Sequence, residues 1–520
     1  MMKEICHLMI TFYKKLILAF LICSLFPLFH SEAAPLSRNA SEHNVDLAPV
    51  LALQSSQPAT MATLVTAGAA EQSVVPAQAD TPETPVIASS SAQAAASLPA
   101  DDILKVYKLS IENDPQFRGA YNEQKALRES LSQAYARLMP VINGEVIYGK
   151  INQNLKESEN AVYDMGESNY DSTSYTLKMT QPIFNWSLFL EVSQAKNLKN
   201  RADVDLELAK QELILRVVQA YFTALASKES LALANAEKVD IEVLHERASV
   251  KCKSGLAPDT DLYDARSRLA SANAQMIKAE SDYRDALQAL QEICNEGFMN
   301  LKNLQENLPM EMPVPDDVGH WVKVGLDRNL KLKIQQFDRE VARIEVDRQR
   351  SGHYPILNVV GRYNRQDTGG SLFGGSSIVD TKDVMLELSV PIFEGGLIQS
   401  KMEEAKARSS VKAESFERQR RAVIREVNAT YDGIKTAKSR AEAFEKSIEF
   451  QSNVLEAKEQ GYRSGIYTSL AVLDASRDLY LLRRDYAQSR YDYVFNTLRL
   501  KQAMGTLSDA DLIIINNWLR

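Results

Sequence analysis

The sequence contains few of the residues that bind metals or act as nucleophiles, with four cysteines and six histidines among 520 residues. The histidines are scattered along the chain, and no spacing of His, Cys, Asp and Glu is typical of a metal site. Two glycine pairs, at 369–370 and 374–375, lack the Gly-Lys-Ser or Gly-Lys-Thr that completes a phosphate-binding loop. The sequence therefore predicts no enzyme, no cofactor and no metal site.

The chain also lacks an excess of positive charge and, beyond its first residues, any long apolar run. Its net charge of −8 does not favour a nucleic-acid partner. Basic residues up to Lys15, an apolar stretch from Leu16 to Phe29 and small residues from Ser31 to Ala34 are typical of a secretory signal, which we place at residues 1–33. The alternative, a transmembrane anchor, needs roughly 20 apolar residues. Because no later window has about 18 consecutive apolar residues, insertion of the mature chain into a membrane would require β-strands.

Residues 34–100 are rich in Ala, Ser, Pro, Thr and Gln, a composition that predicts a disordered leader. Cys6 and Cys23 would be removed with the signal, and the large residues before Cys23 do not favour a lipoprotein. Cys252 and Cys294 would lie on two antiparallel helices, roughly 45 Å apart, which is too far for a disulfide. We predict that both are unpaired.

The mature chain resembles itself at an offset of about 210 residues, which predicts one structural unit used twice. The repeat is carried by short motifs that recur in the same order with little slip in register. These are Gln181-Pro182-Ile183-Phe184 with Val390-Pro391-Ile392-Phe393, Ser254-Gly255-Leu256 with Ser464-Gly465-Ile466, Asp264-Ala265 with Asp474-Ala475, and Tyr221, Lys228 and Tyr283 with Tyr431, Lys438 and Tyr493.

Each copy of the repeat contains a predicted long helical hairpin. Neither Pro nor Gly interrupts Trp186–Ser254, so a helix there would be about 100 Å long and would have to stand in water. Gly255 and Gly465 mark the turns into partner helices, which we predict at Asp259–Asn295 and Thr468–Met504. Apolar and small residues alternate at spacings of four and three, as in a coiled-coil seam. The seam residues are Leu213, Val217, Ala220, Ala224, Ser227, Leu231 and Ala234 in the first copy, and Val423, Val427, Thr430, Ile434, Ala437, Ala441, Phe444, Ile448, Gln451 and Leu455 in the second.

A pair of short segments with alternating polarity precedes each helical hairpin and predicts one β-hairpin per half. Four strands cannot close a transmembrane barrel, which needs about eight or more. Two copies of the chain would give eight strands and three would give twelve, and only the larger ring leaves an open lumen, so we favour three copies. The alternative is a soluble β-layer that caps a coiled coil. The strands are expected at Val141–Lys150, Tyr175–Ile183, Ile356–Asn364 and Val384–Ile392, with loops at Asn152–Ser172 and Arg365–Thr381.

Several motifs stand out in order along the mature chain. They are Leu138-Met139-Pro140, the two Pro-Ile-Phe repeats, Gly461-Tyr462-Arg463-Ser464-Gly465, Val472-Leu473-Asp474-Ala475 and the tail from Met504 to Leu512. Taken together, they resemble the TolC family of outer-membrane efflux channels from about Asp101 to the C-terminus. The resemblance implies a homotrimer that is mostly α-helical, with a twelve-stranded outer-membrane β-barrel built from four strands per chain. An α-helical barrel would continue it across the periplasm, with a mixed equatorial belt.

The function that this resemblance implies is the exit duct of a tripartite efflux pump or type I secretion system in the outer membrane of a Gram-negative bacterium. The duct would be a passive conduit gated at its periplasmic end. A periplasmic adaptor and an inner-membrane pump of the ABC or RND type would dock at the turns around Gly255 and Gly465. The expected divisions are a signal (1–33), a leader (34–100), a first repeat (101–300), an equatorial segment (301–352), a second repeat (353–504) and a C-terminal equatorial segment (505–520).

The resemblance also assigns positions of the periplasmic constriction, one at a time. Asp261 matches a first-repeat aspartate and Tyr462 a second-repeat tyrosine, which in the family join neighbouring hairpins by hydrogen bonds. The family often has a basic residue at the position of Tyr467 and acidic residues at the positions of Ala471 and Asp474. Only Asp474 keeps its charge, so the inter-helix ion pair and one of two carboxylate rings are absent. A ring of Asp474 side chains would concentrate cations; alternatively, Asp474 caps or solvates the helix after the turn.

Two functions of other classes stay open at this point. An exported periplasmic coiled-coil scaffold or adaptor without a pore would explain the heptads but not the paired strands. A cell-surface hydrolase has only the signal peptide in its favour. The exported substrate and the particular inner-membrane partner have no signature in the sequence.

Overall fold

The computed structural model describes residues 101–157, 166–255, 258–298, 300–305, 308–370, 375–464 and 466–520. The predicted signal peptide, the predicted leader and Gly465 lie outside these residues. In chain order the elements are α1 (Ile103–Asn113), α2 (Pro115–Ala136), β1 (Val141–Leu155), β2 (Gly166–Phe184), α3 (Trp186–Lys253), α4 (Asp259–Cys294), α5 (Val318–Arg328), α6 (Leu330–Arg350), a short 3-10 turn (Ser351–His353), β3 (Ile356–Thr368), β4 (Ser377–Ser389), α7 (Leu397–Arg463), α8 (Ser469–Ala503) and α9 (Asp509–Asn516).

The four strands form one antiparallel sheet in the order β1-β2-β3-β4. The middle pair, β2 and β3, joins the two copies of the repeat, and its register places Ser172 opposite Thr368 and Gln181 opposite Val359. Within this sheet β1 and β4 each have a neighbour on one side only. The predicted four strands per chain are therefore confirmed, and the sheet has two open edges.

The predicted loops between the strands were wrong in extent. β1 pairs with β2 as far as Leu155 and Gly166, well inside the predicted first loop. The reason is that polar side chains fit a β-ladder when they bond across it. The Tyr170 hydroxyl donates to Gln153 Oε1 over 2.8 Å, and Asn152 donates to Glu167.

The second predicted loop was wrong for the same reason. β3 extends to Thr368 and β4 begins at Ser377. The hydroxyl groups of these two residues lie 2.9 Å apart and close the pairing. β4 also ends earlier than predicted, at Ser389, before the Pro-Ile-Phe motif of the second copy. Pro391 has no N–H with which to continue the ladder.

Two long helical hairpins follow the two β-hairpins. α3 has 68 residues and α7 has 67, each about 100 Å long at the α-helical rise. Gly255 lies in the turn after α3 with φ of +70°, a conformation that glycine adopts without strain. α3 packs against α4 and α8, and α8 packs against α7, so the order is α4-α3-α8-α7. No helix in the described ranges is both long and apolar enough to cross a bilayer.

The predicted coiled-coil seam is buried where the two hairpins enter the core. Val423, Val427, Thr430 and Ile434 on α7 are each at most 3% exposed. Beyond Ala441 the seam positions are only half-buried. The helical layer is therefore most tightly packed near the core and looser toward the turns.

A belt of short segments packs against the middle of α3. The chain at Asn303 exchanges backbone hydrogen bonds with the C-terminal Arg520, at 3.2 and 2.8 Å. The hydroxyl of Tyr221, fully buried on α3, lies 3.0 Å from the carbonyl oxygens of Asp101 and Lys302. This belt ties the beginning, middle and end of the described chain to the same helix.

Glu345 on α6 is expected to contribute to acid sensitivity. Burial raises the pKa of this carboxyl, but hydrogen bonds from Arg348, Gln349 and Gln194 outweigh burial and lower the pKa to about 2. Because the folded pKa lies below the ordinary value of 4.5, this stabilisation is present above pH 4.5 and is lost as the pH falls through about 2.

We expect Glu345→Gln to lower the thermal unfolding midpoint at neutral pH and to flatten its dependence on pH between 4.5 and 2. The matched control is Glu340→Gln, which removes a more exposed carboxylate paired with Arg343. Thermal unfolding of the detergent-solubilised protein over a pH series measures both. A Glu345→Gln profile parallel to that of the unsubstituted protein would contradict the assignment.

Candidate functional site

The candidate site lies near the turns of the two helical hairpins. After α3 the backbone N–H of Ser254 donates to Val250 O, and that of Gly255 donates to Cys252 O. α4 then begins with Asp259 and Asp261 in its first turn, where carboxylates are stabilised by the positive end of the helix dipole. Asp261 is exposed.

At the second turn Tyr467 lies against the backbone of Gly461. The amide N–H groups of Ile466 and Tyr467 both donate to the Gly461 carbonyl, at 2.8 and 3.3 Å. A Cβ at position 461 would collide with the Tyr467 ring, so the ring can lie in this position only because residue 461 is a glycine. Tyr467 is 46% exposed and Ile466 76%, which leaves an apolar surface at this turn.

Tyr462 faces the first hairpin. The guanidinium of Arg247, on α3, lies 5.9 Å from the centre of the Tyr462 ring, within range of a cation–π contact. In the part of this chain that the structure describes, Tyr462 and Asp261 make no hydrogen bond with each other. The structure thus brings Tyr462 to a basic residue of the other hairpin that the sequence analysis did not single out.

Asp474 is paired with a residue of the other hairpin. Arg268 on α4 has its Nη1 3.8 Å from Asp474 Oδ1, and its Nε 3.1 Å from Asp264 Oδ2. Asp474 remains 57% exposed, so water screens the pair. The sequence analysis predicted that the family's ion pair between helices is absent, because Tyr467 is uncharged. Arg268 nevertheless forms an ion pair between the two hairpins, with Asp474.

Further polar contacts join α3 to α8. Asp240 Oδ2 accepts hydrogen bonds from the Ser476 Oγ at 3.1 Å and the Tyr480 hydroxyl at 3.4 Å. Glu237 Oε1 lies 3.7 Å from Arg477 Nε. A polar cavity of about 310 Å³ lies beside these contacts. We call the set the polar junction, and its members are Glu237, Asp240, Arg268, Asp474, Ser476, Arg477 and Tyr480.

The polar junction lies beside buried apolar residues, among them Ile241 on α3 and Ala475 on α8. Its exposed ion pairs each contribute about 0.2–1 kcal/mol, because water competes for the same groups. Separating the charged contacts therefore costs little, whereas exposing the buried apolar residues costs more. These residues follow no periodic pattern in the sequence, although the equivalence of Asp264 and Asp474 pointed to the region.

Among the residues that the structure describes, no group of His, Cys, Asp and Glu side chains could hold a metal ion. Cys252 and Cys294 are free, which confirms the prediction that they are unpaired. The Cys252 thiol donates to Asp259 Oδ1 over 2.9 Å, and this hydrogen bond raises the pKa of the thiol. Cys294 is buried, and burial raises the pKa of its thiol.

The model of the family described as outer membrane efflux protein matches residues 106–296 and 321–506. The outer membrane protein TolC of Vibrio cholerae serotype O1 is 27% identical over 423 residues, 81% of this chain and 94% of that protein. The alkaline protease secretion protein AprF of Pseudomonas aeruginosa is 25% identical over 415 residues, 79% of this chain and 86% of that protein.

Solved structures show the same fold. The Campylobacter jejuni CmeC outer membrane channel superposes with a TM-score of 0.67 at 16% identity, over 80% of this chain and 90% of that channel. Both matched segments of the family model contain one β-hairpin and one helical hairpin, in agreement with the internal repeat.

Proposed function

The chain belongs to the outer membrane efflux protein family, the TolC family, and from that premise we propose that three copies close one continuous duct from the outer membrane into the periplasm. The protein is an outer-membrane channel subunit that forms the exit duct of an efflux or secretion system.

The observation that carries the trimer is the pair of open sheet edges, β1 and β4. In lipid, an unpaired edge leaves backbone N–H and C=O groups without partners, which is costly. Four strands cannot curl into a closed barrel, whereas twelve close around an open lumen. β4 of each copy therefore pairs with β1 of the next, and the membrane part is complete only in the assembly.

The turns of the helical hairpins, around Gly255 and Gly465, are the proposed docking sites for a periplasmic adaptor and an inner-membrane pump of the ABC or RND type. The efflux family and a relative named for protease secretion support partners of both pump classes. The proposed gate comprises Asp261, Tyr462, Tyr467 and Asp474 near these turns. Exposed apolar and acidic side chains there suit a constriction that closes when the hairpins meet.

A scaffold or adaptor without a pore accounts for the helical hairpins alone. It leaves the sheet with its two open edges unexplained. Detergent extraction from membranes, followed by gel electrophoresis of unheated and heated samples, distinguishes the two functions. We expect a heat-sensitive oligomer in the membrane fraction, and a detergent-independent monomer would contradict the proposed function.

Charge at the proposed gate is expected to control ion selectivity. Asp474→Asn should lower the preference for cations, because a ring of carboxylates attracts cations at a constriction. Arg268→Gln should raise it, because the Arg268 guanidinium next to Asp474 offsets the negative charge. Reversal potentials under a salt gradient measure both, with Asp285→Asn, on an exposed face of α4, as the control. Unchanged selectivity in both variants would show that Asp474 does not control ion selectivity at the proposed gate.

A further inference from the structure

The sheet formed by β1 to β4 has one apolar face. Residues paired across two strands point to the same face, and the register pairs Ile142 with Met179 and Val359 with Leu386. Ile142 is 62% exposed in the single chain and Leu386 68%. The apolar face is therefore the one that meets lipid in the proposed barrel. The opposite face carries the charged residues Glu145, Lys178, Arg362, Asp383 and Glu387.

Each strand has a boundary on the apolar face, where apolar side chains give way to polar ones with increasing distance from the long helices. The register shifts this boundary by two residues from each strand to the next, always toward the helices. A constant shift is expected where tilted strands cross one flat interface, and tyrosine is enriched at such interfaces. The boundary therefore marks the outer edge of the hydrocarbon. The apolar stretches end at Tyr148 on β1, Tyr175 on β2, Tyr363 on β3 and Val384 on β4.

The first side chain beyond the boundary is basic on three of the four strands. It is Lys150 on β1, Arg365 on β3 and Lys382 on β4, while Thr173 takes this position on β2. The three basic residues are exposed. We call these three residues the basic collar. It lies at the height where lipid headgroups begin.

The basic collar has no acidic partner at its own height. Its residues form no ion pair with another residue that the structure describes, whereas Arg362, on the other face, has its Nε 3.2 Å from Asp383 Oδ1. Lys382 Nζ lies 5.7 Å from the centre of the Tyr363 ring. Carboxylates on the apolar face begin one step further out, and Arg365 faces one of them, Asp380, without an ion pair. Unpaired positive charge therefore borders the lipid directly.

The basic collar is concentrated where two copies of the chain meet. Arg365 and Lys382 are diagonal neighbours on β3 and β4, roughly 7–8 Å apart. In the proposed barrel β4 of one copy pairs with β1 of the next, and the same shift of the boundary places Lys150 of the next copy diagonal to Lys382. Each seam thus gathers three positive charges from three adjacent strands. Like charges so placed repel each other unless an anion lies between them.

We propose that the basic collar at each seam binds the phosphate groups of a lipid in the outer leaflet of the membrane, an inference that rests on the proposed barrel. Lys and Arg stems can lie on the apolar surface while their charged ends reach the headgroups. The Arg365 guanidinium can hold phosphate oxygens in a bidentate contact, and the two lysines act as point charges. A lipid fits better than a protein partner, because the surface directly below the collar is the one that faces hydrocarbon.

Bound phosphate also affects the oligomer. Since it screens the repulsion between Lys382 of one copy and Lys150 of the next, the lipid stabilises the seam, and binding to the assembled state raises the temperature at which the copies separate. Native mass spectrometry of the purified full-length oligomer counts bound lipids, with lipid A carrying two phosphates and the same lipid without phosphates as probes. We expect the phosphorylated probe to bind and to raise the dissociation temperature, and the other to do neither.

Two pairs of substitutions locate the site. Arg365→Gln with Lys382→Gln should weaken binding of the phosphorylated probe roughly 25-fold, about five-fold for each positive charge lost at an anionic surface. The matched control is Lys178→Gln with Arg362→Gln, which removes one lysine and one arginine from the opposite face of the same sheet. It should leave binding unchanged.

Variants that keep the charge guard against a folding defect. Arg365→Lys with Lys382→Arg should keep most of the binding, because both positive charges remain. Lys150→Gln alone should weaken binding about five-fold, although it lies on a strand that the first pair does not touch.

The outcomes separate this inference from the function on which it rests. A protein that is monomeric in the membrane contradicts the proposed barrel. An intact oligomer that binds both probes equally, or that loses binding equally in the collar pair and the control pair, overturns the lipid site alone. Displacement of the lipid by an equal concentration of inorganic pyrophosphate also overturns it, because phosphate without the lipid would then be the ligand.

Discussion

Replacing Gly505 with alanine is expected to cost about 3 kcal/mol or more of folding free energy, from backbone strain and a steric collision together. Gly505 connects α8 to the C-terminal segment with φ of +66°, where a side chain is strained. A Cβ at this position would also collide with the carbonyl oxygen of Arg328. That carbonyl lies beside Asn329, whose Nδ2 donates to Ala503 O over 2.8 Å. The substitution would therefore separate the end of α8 from the junction of α5 and α6.

Thermal unfolding and the yield of heat-sensitive oligomer measure the effect of Gly505→Ala. Gly395→Ala is the matched control, because Gly395 has φ of +61° but no neighbouring atom within 4 Å of an added Cβ. The control should lose only about 1–2 kcal/mol of folding free energy, because its alanine is strained in the left-handed backbone but touches no neighbouring atom. Equal unfolding midpoints for the two variants would show that the contact with Arg328 does not constrain the belt.

Reversing both basic charges of the polar junction is expected to open the periplasmic end of the duct. Arg268→Glu with Arg477→Glu places new carboxylates beside Glu237, Asp264 and Asp474, in contacts that now span 3.1 to 3.8 Å. Like charges at such distances repel, and the repulsion acts at every in-chain junction of the assembly. We expect a several-fold rise in closed-state conductance.

Salt dependence identifies the cause of this rise. The Debye length falls from about 10 Å at 0.1 M salt to about 3 Å at 1 M, so the effect of the double reversal should shrink at high salt. Arg408→Glu, which reverses one member of an exposed pair with Glu404 on α7, should leave conductance unchanged. A double reversal with the conductance of the unsubstituted protein would show that the polar junction does not hold the duct closed.

The helical hairpins were predictable from the sequence because their signals are periodic. The heptad seam and the absence of Pro and Gly placed α3 at Trp186–Ser254, and the helix ends one residue earlier, at Lys253. The strands were harder. Alternating polarity marked their apolar ends, but the polar continuation of β2 from Gly166 lacks that signal, because its pairing depends on side chains from the neighbouring strand.

The candidate site was less predictable than the fold. The turn at Gly255 and the position of Asp474 followed from the repeat and the resemblance. Arg247 and Arg268 did not, because single charged residues on an exposed helix face carry no pattern and gain a role only when another hairpin packs beside them.

Single-channel recording of the purified full-length protein in planar bilayers tests most directly whether copies of this chain complete each other's sheet into a duct. We expect discrete conductance steps from the heat-sensitive oligomer, and we expect the steps to disappear after the oligomer is dissociated by heating. Folded protein that inserts into the bilayer as single chains, or an oligomer that passes no current, would contradict the proposal that copies of this chain together form the duct.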